Sequence, residues 1–473
     1  MNTDRAGSAG VTRDFADCLL ALAPAAAEPA AQAVATSLLI DGLAVAALGS
    51  GQTGPRILAG LACEQGGTAS ATLIGHGQRV SASEAARVNG AAMHVLDYEP
   101  MWNPANHSLS TTLPALLALA EMLGRRRSVT SHRLDGRRLL TALVLGIEAQ
   151  QRMRLASGQL EPGGLMFHPP GAVGAFGSAV ACGVLLGLDA ATLAQAVGIA
   201  ASRAGGIQGN IGSMTKALHC GQSAMAGFEA ALMASRGFTA DRDAVGGPRG
   251  YGRAFYGETF DPASLTAPHA LFVLDPGPAF KFFPSQYGTH FVITAALAAR
   301  GALWQHGLTP QDIEGIEAMR IVVPPMPYVD RPLPATGLDG KFSFQYVAAL
   351  AVIDGKVDVA SFTDERRFRA DMVRLLPRIT VEGDAAREGT FDRMHVDVQV
   401  RLTDGRQSEA ACDGPPGIWG RPVKPELLAG KALDCLSGVY TPGRAQEIVA
   451  RARDFTKMDL PDVLALMDLL GAA

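Results

Sequence analysis

The sequence predicts a mostly α-helical chain with a smaller α+β domain, and three observations predict it. Apolar residues recur at helical spacing through most of the first half of the chain. Aromatic residues make up only 6% while Gly alone numbers 54, and small side chains let helices approach closely. Near Asp275 the texture changes to Gly-Pro punctuation and strand-like runs. With 473 residues, 48% of them hydrophobic, two domains and a large core are the natural expectation.

Each element follows from local pattern. Positions 12–23 and 29–48 have apolar helical spacing, and Asp41 inside the second run argues for a core helix and against a membrane span. Positions 81–89 open with Ser-x-Ser-Glu, a capped start. Helices are predicted at 113–123, at 135–154 with Asp135 as cap, at 171–186, and at 190–204 with Asp189 as cap. A further one, 221–236, closes at Gly237. Beyond Asp275 the pattern predicts a helix at 288–306, strands at 313–323 and 393–403, and helices at 424–432 and 445–470. The expected division is a helical domain from 1–276 plus 414–473 and an α+β domain at 277–413.

Composition excludes several classes of function. Lys plus Arg is 41 and Asp plus Glu is 45, a formal charge of −4, so nothing favours nucleic acid or an anionic membrane as partner. The six cysteines show no CxxC spacing and no zinc-finger histidine, and they read as buried thiols in a reducing compartment. The N-terminus has scattered charges and no apolar h-region, so a signal peptide is not expected and the cytoplasm is. No GxxxxGK[ST], HExxH or GxSxG occurs. Gly205-Gly206-Ile-Gln-Gly209 follows a helical pattern, not a strand, which weakens a dinucleotide reading. His94 and Asp97 lack a third ligand beside them, so no metal is expected.

What remains is polar residues set in Gly-rich, apolar surroundings. They are His94 to Asp97, Glu99 and His107; His168 before a helix start; Lys216 and His219 in Gly-Ser-Met-Thr-Lys-Ala-Leu-His-Cys-Gly; and Lys281 with His290 around Phe-Phe-Pro. Cations converging on one cleft suit a substrate with several carboxylates, and a carboxylate beside an imidazole suits proton transfer. Lys281 stands out, because a lysine among Phe280, Phe282 and Phe283 gains nothing from being solvated. Glu99, Arg249 and Arg253 read as solvent-facing.

In this order, the segments resemble the MmgE/PrpD family. The resemblance rests on Gly75-His-Gly with Asn89-Gly-Ala-Ala-Met-His94-Val-Leu-Asp97, on Gly212 to Gly221 with Gly246-Gly-Pro-Arg-Gly250, on Lys281-Phe-Phe-Pro284 with His290, and on Lys341-Phe-Ser-Phe-Gln-Tyr346. It spans nearly the whole chain. It implies an all-α domain built from both chain ends, a smaller α+β lid domain, a homodimer, and no cofactor or obligatory metal. It also implies a site in the cleft between domains. Asp97, His107, Lys216 and Lys281 are then expected to be catalytic, and His168, His219 and Tyr346 to bind substrate. The sequence departs from the family pattern at Pro100, where a second acid is usual, at Met101, where Thr is frequent, and at Ser108, where Pro follows the histidine.

The expected function is a cofactor-independent lyase acting at a carbon α to a carboxylate of a di- or tricarboxylic acid. It would be 2-methylcitrate dehydratase-like or cis-aconitate decarboxylase-like. Two alternatives stand beside it: an epimerase of an iminodisuccinate-type amino acid, and a non-catalytic polycarboxylate-binding homodimer.

Overall fold

The computed structural model describes residues 10–126, 134–161, 164–304 and 309–471. The long helices of the larger body are α1 (Val11–Ala21), α2 (Pro29–Ser50), α3 (Thr53–Gln65), α4 (Ala82–Val95), α5 (Ser108–Arg125), α6 (Gly136–Ala156), α7 (Pro169–Leu186), α8 (Ala190–Ala201) and α9 (Thr215–Ala234). Predicted caps operate as hydrogen-bond acceptors: Ser81 for Glu84 N, Asp135 for Arg138 N at 2.8 Å, and Asp189 for Thr192 N at 2.8 Å. Gly237 lies at φ +86°, two residues past the cap of α9. The helix α9 begins at Thr215, earlier than expected, so Lys216 and His219 lie in its first turns.

The second body carries α10 (Tyr287–Leu303) and α11 (Phe344–Asp354), which pack together beside a four-stranded sheet. Its strands are Ile316–Val323, Ile379–Gly383, Val396–Leu402 and Gln407–Cys412. Numbering these β1 to β4, the order across the sheet is β2-β1-β3-β4, with β1/β2 parallel and the other pairs antiparallel. Register places Ile321 opposite Val398 and Val398 opposite Ala410. The predicted strand at 313–323 starts three residues late, because Pro310–Glu314 forms a short helix with a capping box at Thr309. Strands β2 and β4, and the hairpin Ala71–Leu73 with Gln78–Val80, were not predicted. They are short, and β4 carries only Gln, Ser, Glu, Ala and Cys, so no β-branched pattern marks it. The helix expected at 288–306 ends at Leu303, and positions 305 and 306 lie outside the described residues.

After the sheet the chain returns to the helical body as α12 (Pro425–Ser437), α13 (Pro442–Arg453) and α14 (Leu460–Gly471). The span 445–470 is thus two helices separated by a turn at Phe455–Lys457. One apolar core joins residues from Phe15 to Phe280 with Ala432 to Leu470, and a second joins Met101 and Ala279 with residues from Tyr287 to Trp419. Ile418 and Trp419 belong to the second core, so that core reaches past position 413. The helices α2 and α7 are long and apolar enough to cross a membrane, and both are largely buried in this fold. Asp41 within α2 is paired with Lys431 of α12 at 2.8 Å. Four cysteines are buried, as expected, but Cys63 is exposed and Cys18 half-buried.

Glycine sets the spacing of α4 against α9, the contact on which the site is built. A Cβ on Gly221 would stand 2.2 Å from the carbonyl oxygen of Arg87. Gly221→Ala therefore must push the helices apart, with an expected loss of about 1–3 kcal/mol. Gly60, on an open stretch of α3, has nothing within 4 Å of its Cβ position. Gly60→Ala is expected to gain about 0.5–1 kcal/mol. Urea-unfolding midpoints of the two variants should therefore move in opposite directions, and equal shifts would contradict the packing account.

Candidate active site

A cleft of about 520 Å³, part of it open to solvent, lies where the two cores meet. The turn after α4 supplies Asp97, Met101 and His107; the start of α7 supplies His168; the start of α9 supplies Lys216. The second body contributes Gln286, Tyr328 and Phe342. The peptide groups of Met101 and Ala279 exchange hydrogen bonds at 3.0 and 2.7 Å, which ties the loop after α4 to the chain that enters the second body.

Asp97 is the centre. It follows the α4 cap Leu96 and takes φ +51°, a left-handed conformation that Asp tolerates better than most residues. Its two oxygens separate two cations: Oδ2 accepts from Lys216 Nζ at 2.7 Å, and Oδ1 accepts from Lys281 Nζ at 2.5 Å. Lys281 is fully buried. Burial alone raises the Asp97 carboxyl, but the Lys216 and Lys281 ammonium groups outweigh it and hold the acid well below the usual range. Burial pulls Lys281 below an ordinary lysine, with Asp97 opposing.

A second buried acid lies beside this triad. Glu99 has no exposed surface, which corrects the solvent-facing expectation. His94 Nδ1 hydrogen-bonds to its Oε1, and His107 Nδ1 lies 3.2 Å from the same oxygen. His107 Nε2 is 3.6 Å from Asp97 Oδ1. Burial pushes His94 down to about 4, against the pull of Glu99. Burial raises Glu99, but the two imidazoles outweigh it and hold it well below the usual range.

His168 caps the start of α7, and its Nδ1 faces His219 Nδ1 at 3.3 Å, one donating and the other accepting. Burial first and Lys216 second lower His168 well below an ordinary imidazole. His219 backs His168 and does not itself line the cleft.

Four of the seven predicted residues, Asp97, His107, His168 and Lys216, line the cleft, with Lys281 bound to Asp97 and His219 to His168 behind them. Tyr346 does not: its hydroxyl donates to the Ser361 carbonyl at 2.7 Å within the second core, where it is fully buried. The hydroxyl is spent on that carbonyl, so the substrate-binding role is withdrawn. Sequence reasoning passed over Lys341, which is buried and donates to the Leu96 carbonyl at 2.7 Å, bracing the turn that carries Asp97. Its position three residues before the start of the apolar helix α11 was the available signal. His290, also within a quoted motif, is fully buried behind Lys281, with both ring nitrogens unpartnered among the described residues.

Among the described residues, His94, Glu99 and His107 group imidazole and carboxylate atoms within 4.8 Å. Glu99 Oε1 is already occupied by His94, and His94 and Glu99 feel Lys216 and the imidazoles as neighbouring charges. The arrangement sets one imidazole, His94, in a hydrogen bond to Glu99 Oε1 and a second, His107, 3.2 Å from the same oxygen. Chemically, the cleft offers cations for carboxylates and an imidazole beside them for proton transfer.

The family model for the MmgE/PrpD N-terminal domain matches residues 13–263, and that for the MmgE/PrpD C-terminal domain matches residues 283–455. The cis-aconitate decarboxylase of Mus musculus is 33% identical over 359 residues, covering 75% of this chain and 71% of that protein. The Homo sapiens cis-aconitate decarboxylase is 32% identical over 395 residues, covering 83% and 80%. A cis-aconitate decarboxylase of Aspergillus terreus is 24% identical over 426 residues, covering 84% and 83%.

Burial lowers Lys341 to about 7, with Asp97 opposing and Lys216 adding to the fall. Between that value and an unfolded value near 10.4 the unfolded chain binds the extra proton. Stability from this group is therefore lowest below pH 7 and rises with pH, by up to about 1.4 kcal/mol per unit. Urea unfolding at pH 6.5, 8 and 9.5 should show the wild type gaining on Lys341→Met as pH rises. A gap that stays constant would show that Lys341 is charged throughout.

Proposed function

The chain belongs to the MmgE/PrpD family and is a lyase, and from this premise we propose that it decarboxylates an unsaturated tricarboxylic acid of the cis-aconitate type without a cofactor. The observation that carries the reading is a cleft that sets an apolar wall beside a buried ammonium: Met101, Ile211 and Phe342 line it together with Lys216, His107 and His168, and Lys216 Nζ lies 5.3 Å from the centre of the Phe342 ring. A carboxylate pressed against the apolar wall loses hydration, which favours its departure as neutral CO₂.

The chemistry balances with protein groups alone. In a β,γ-unsaturated acid, the C–C bond to the leaving carboxylate breaks, and its electron pair moves through the double bond into the far carboxylate as an enediolate. Lys216 faces that developing charge, with Lys281 holding Asp97 in place behind it. One proton then adds to the far carbon, and CO₂ leaves. His107 donates that proton, since it lines the cleft and is 12% exposed, where Glu99 and His94 are sealed.

A homodimer is part of the same proposal. Met166, Ile207 and Met214 are exposed apolar side chains next to the cleft-lining residues Leu165, Gln208 and Lys216, a face suited to cover by a second copy. Sedimentation at micromolar concentration should give a dimer; a monomer would remove this part of the proposal.

Proton NMR in D₂O, in buffer containing EDTA, tests the reaction. Cis-aconitate should lose its vinyl signal, gain an exomethylene pair and take up one solvent deuteron. Water loss from a hydroxylated acid, with cis-aconitate untouched, would replace the decarboxylase with a dehydratase. His107→Gln should lower kcat by about 100-fold or more with KM changed only slightly. A raised KM with kcat intact would demote His107 to carboxylate binding.

A further inference from the structure

We propose that Glu99 is a positioning residue, which orients the His107 imidazole with Nδ1 toward its own Oε1 and Nε2 toward the cleft. The inference rests on the reading of His107 as proton donor. Its basis is geometric. Glu99 Oε1 lies between His94 Nδ1 and His107 Nδ1, and Glu99 Oε2 is buried without a partner among the described residues. The acid therefore has only imidazoles to compensate its charge. His94 is the poorer source, since its side chain is sealed from solvent and its Nε2 has no partner among the described residues. His107 is the one of the two with access to the cleft.

The other charges around His107 act differently. Asp97 from the same loop lies 3.6 Å from Nε2, but its charge is already divided between Lys216 of α9 and Lys281 before α10. Lys341 stands beyond Asp97, and His168 at the start of α7 is neutral. Those groups gather on the Nε2 side of the ring, and Glu99 is the acid that faces Nδ1. Fixing Nδ1 on Glu99 also selects which nitrogen faces substrate, because the second ring nitrogen is then the only one free to deliver the proton.

The test compares Glu99→Gln with His94→Gln. Gln keeps the size of Glu99 and removes its charge. In Glu99→Gln, the ¹⁵N titration of His107, read on the protein without substrate, should move down by about one pH unit or more. The alkaline limb of kcat should move down with it, with kcat at neutral pH reduced about tenfold and KM nearly unchanged. In His94→Gln, Glu99 is left to His107 alone, and both readouts should stay or move up. An unmoved titration in Glu99→Gln overturns the proposal, as does a downward move in His94→Gln. If Glu99→Gln does not fold, the direction in His94→Gln decides. Because the titration needs no substrate, it separates this proposal from the identity of the reaction: a moved titration with no turnover on cis-aconitate would sink only the latter.

Discussion

The structure depends on one ionic node, the Asp97 carboxylate held between Lys216 and Lys281. The three residues come from the end of one helix, the start of another and the entry to the second body. Removing the acid would leave two buried ammonium groups facing each other, and removing either lysine would leave a buried acid half-compensated. Such losses are far more costly than the net gain the intact pair provides. The node is therefore better understood as fixing geometry than as supplying stability. It sets where the two bodies meet, and the cleft is the space left beside it.

The surroundings exist to make that node affordable. The left-handed turn at Asp97 aims its carboxylate back between the lysines, and Lys341 ties the preceding carbonyl in place. Glycines in α4 and α9 bring the two helix backbones close enough for Lys216 to reach. The apolar cores on both sides exclude water, which lowers the buried histidines His94 and His168, while Asp97 and Glu99 stay low against the same burial because lysines and imidazoles face them. An uneven set of protonation states results. His94 and His168 are neutral, Asp97 and Glu99 ionised, and His107 sits at the boundary between them and the cleft. Acid and base roles can be divided among like residues only because their burial differs.

Much of the fold was legible. Helical periodicity, the Ser81, Asp135 and Asp189 caps, and the change of texture near Asp275 all report local backbone preferences, which the sequence states directly. The strands β2 and β4 were not legible, because their pairing is held by neighbours and not by their own residues. Tyr346 was misread for a related reason: a tyrosine in a family motif has the same letter whether its hydroxyl meets substrate or the Ser361 carbonyl. Glu99 was misread because two acids two positions apart, followed by proline, commonly face solvent. Only the return of His94 and His107 to the same oxygen reveals it as buried.

The sequence by itself determined the family, the helical class and the residues that bear the chemistry, since these are carried by local pattern and by motifs whose residue types are visible one at a time. The tertiary structure decided which of those residues share a cleft, which acid is clamped by lysines and which by imidazoles, and which lysine is held near neutrality. Those outcomes are set by desolvation and by Coulomb interactions over a few ångströms, for the lysines between residues more than a hundred positions apart, and such distances exist only once the chain has folded.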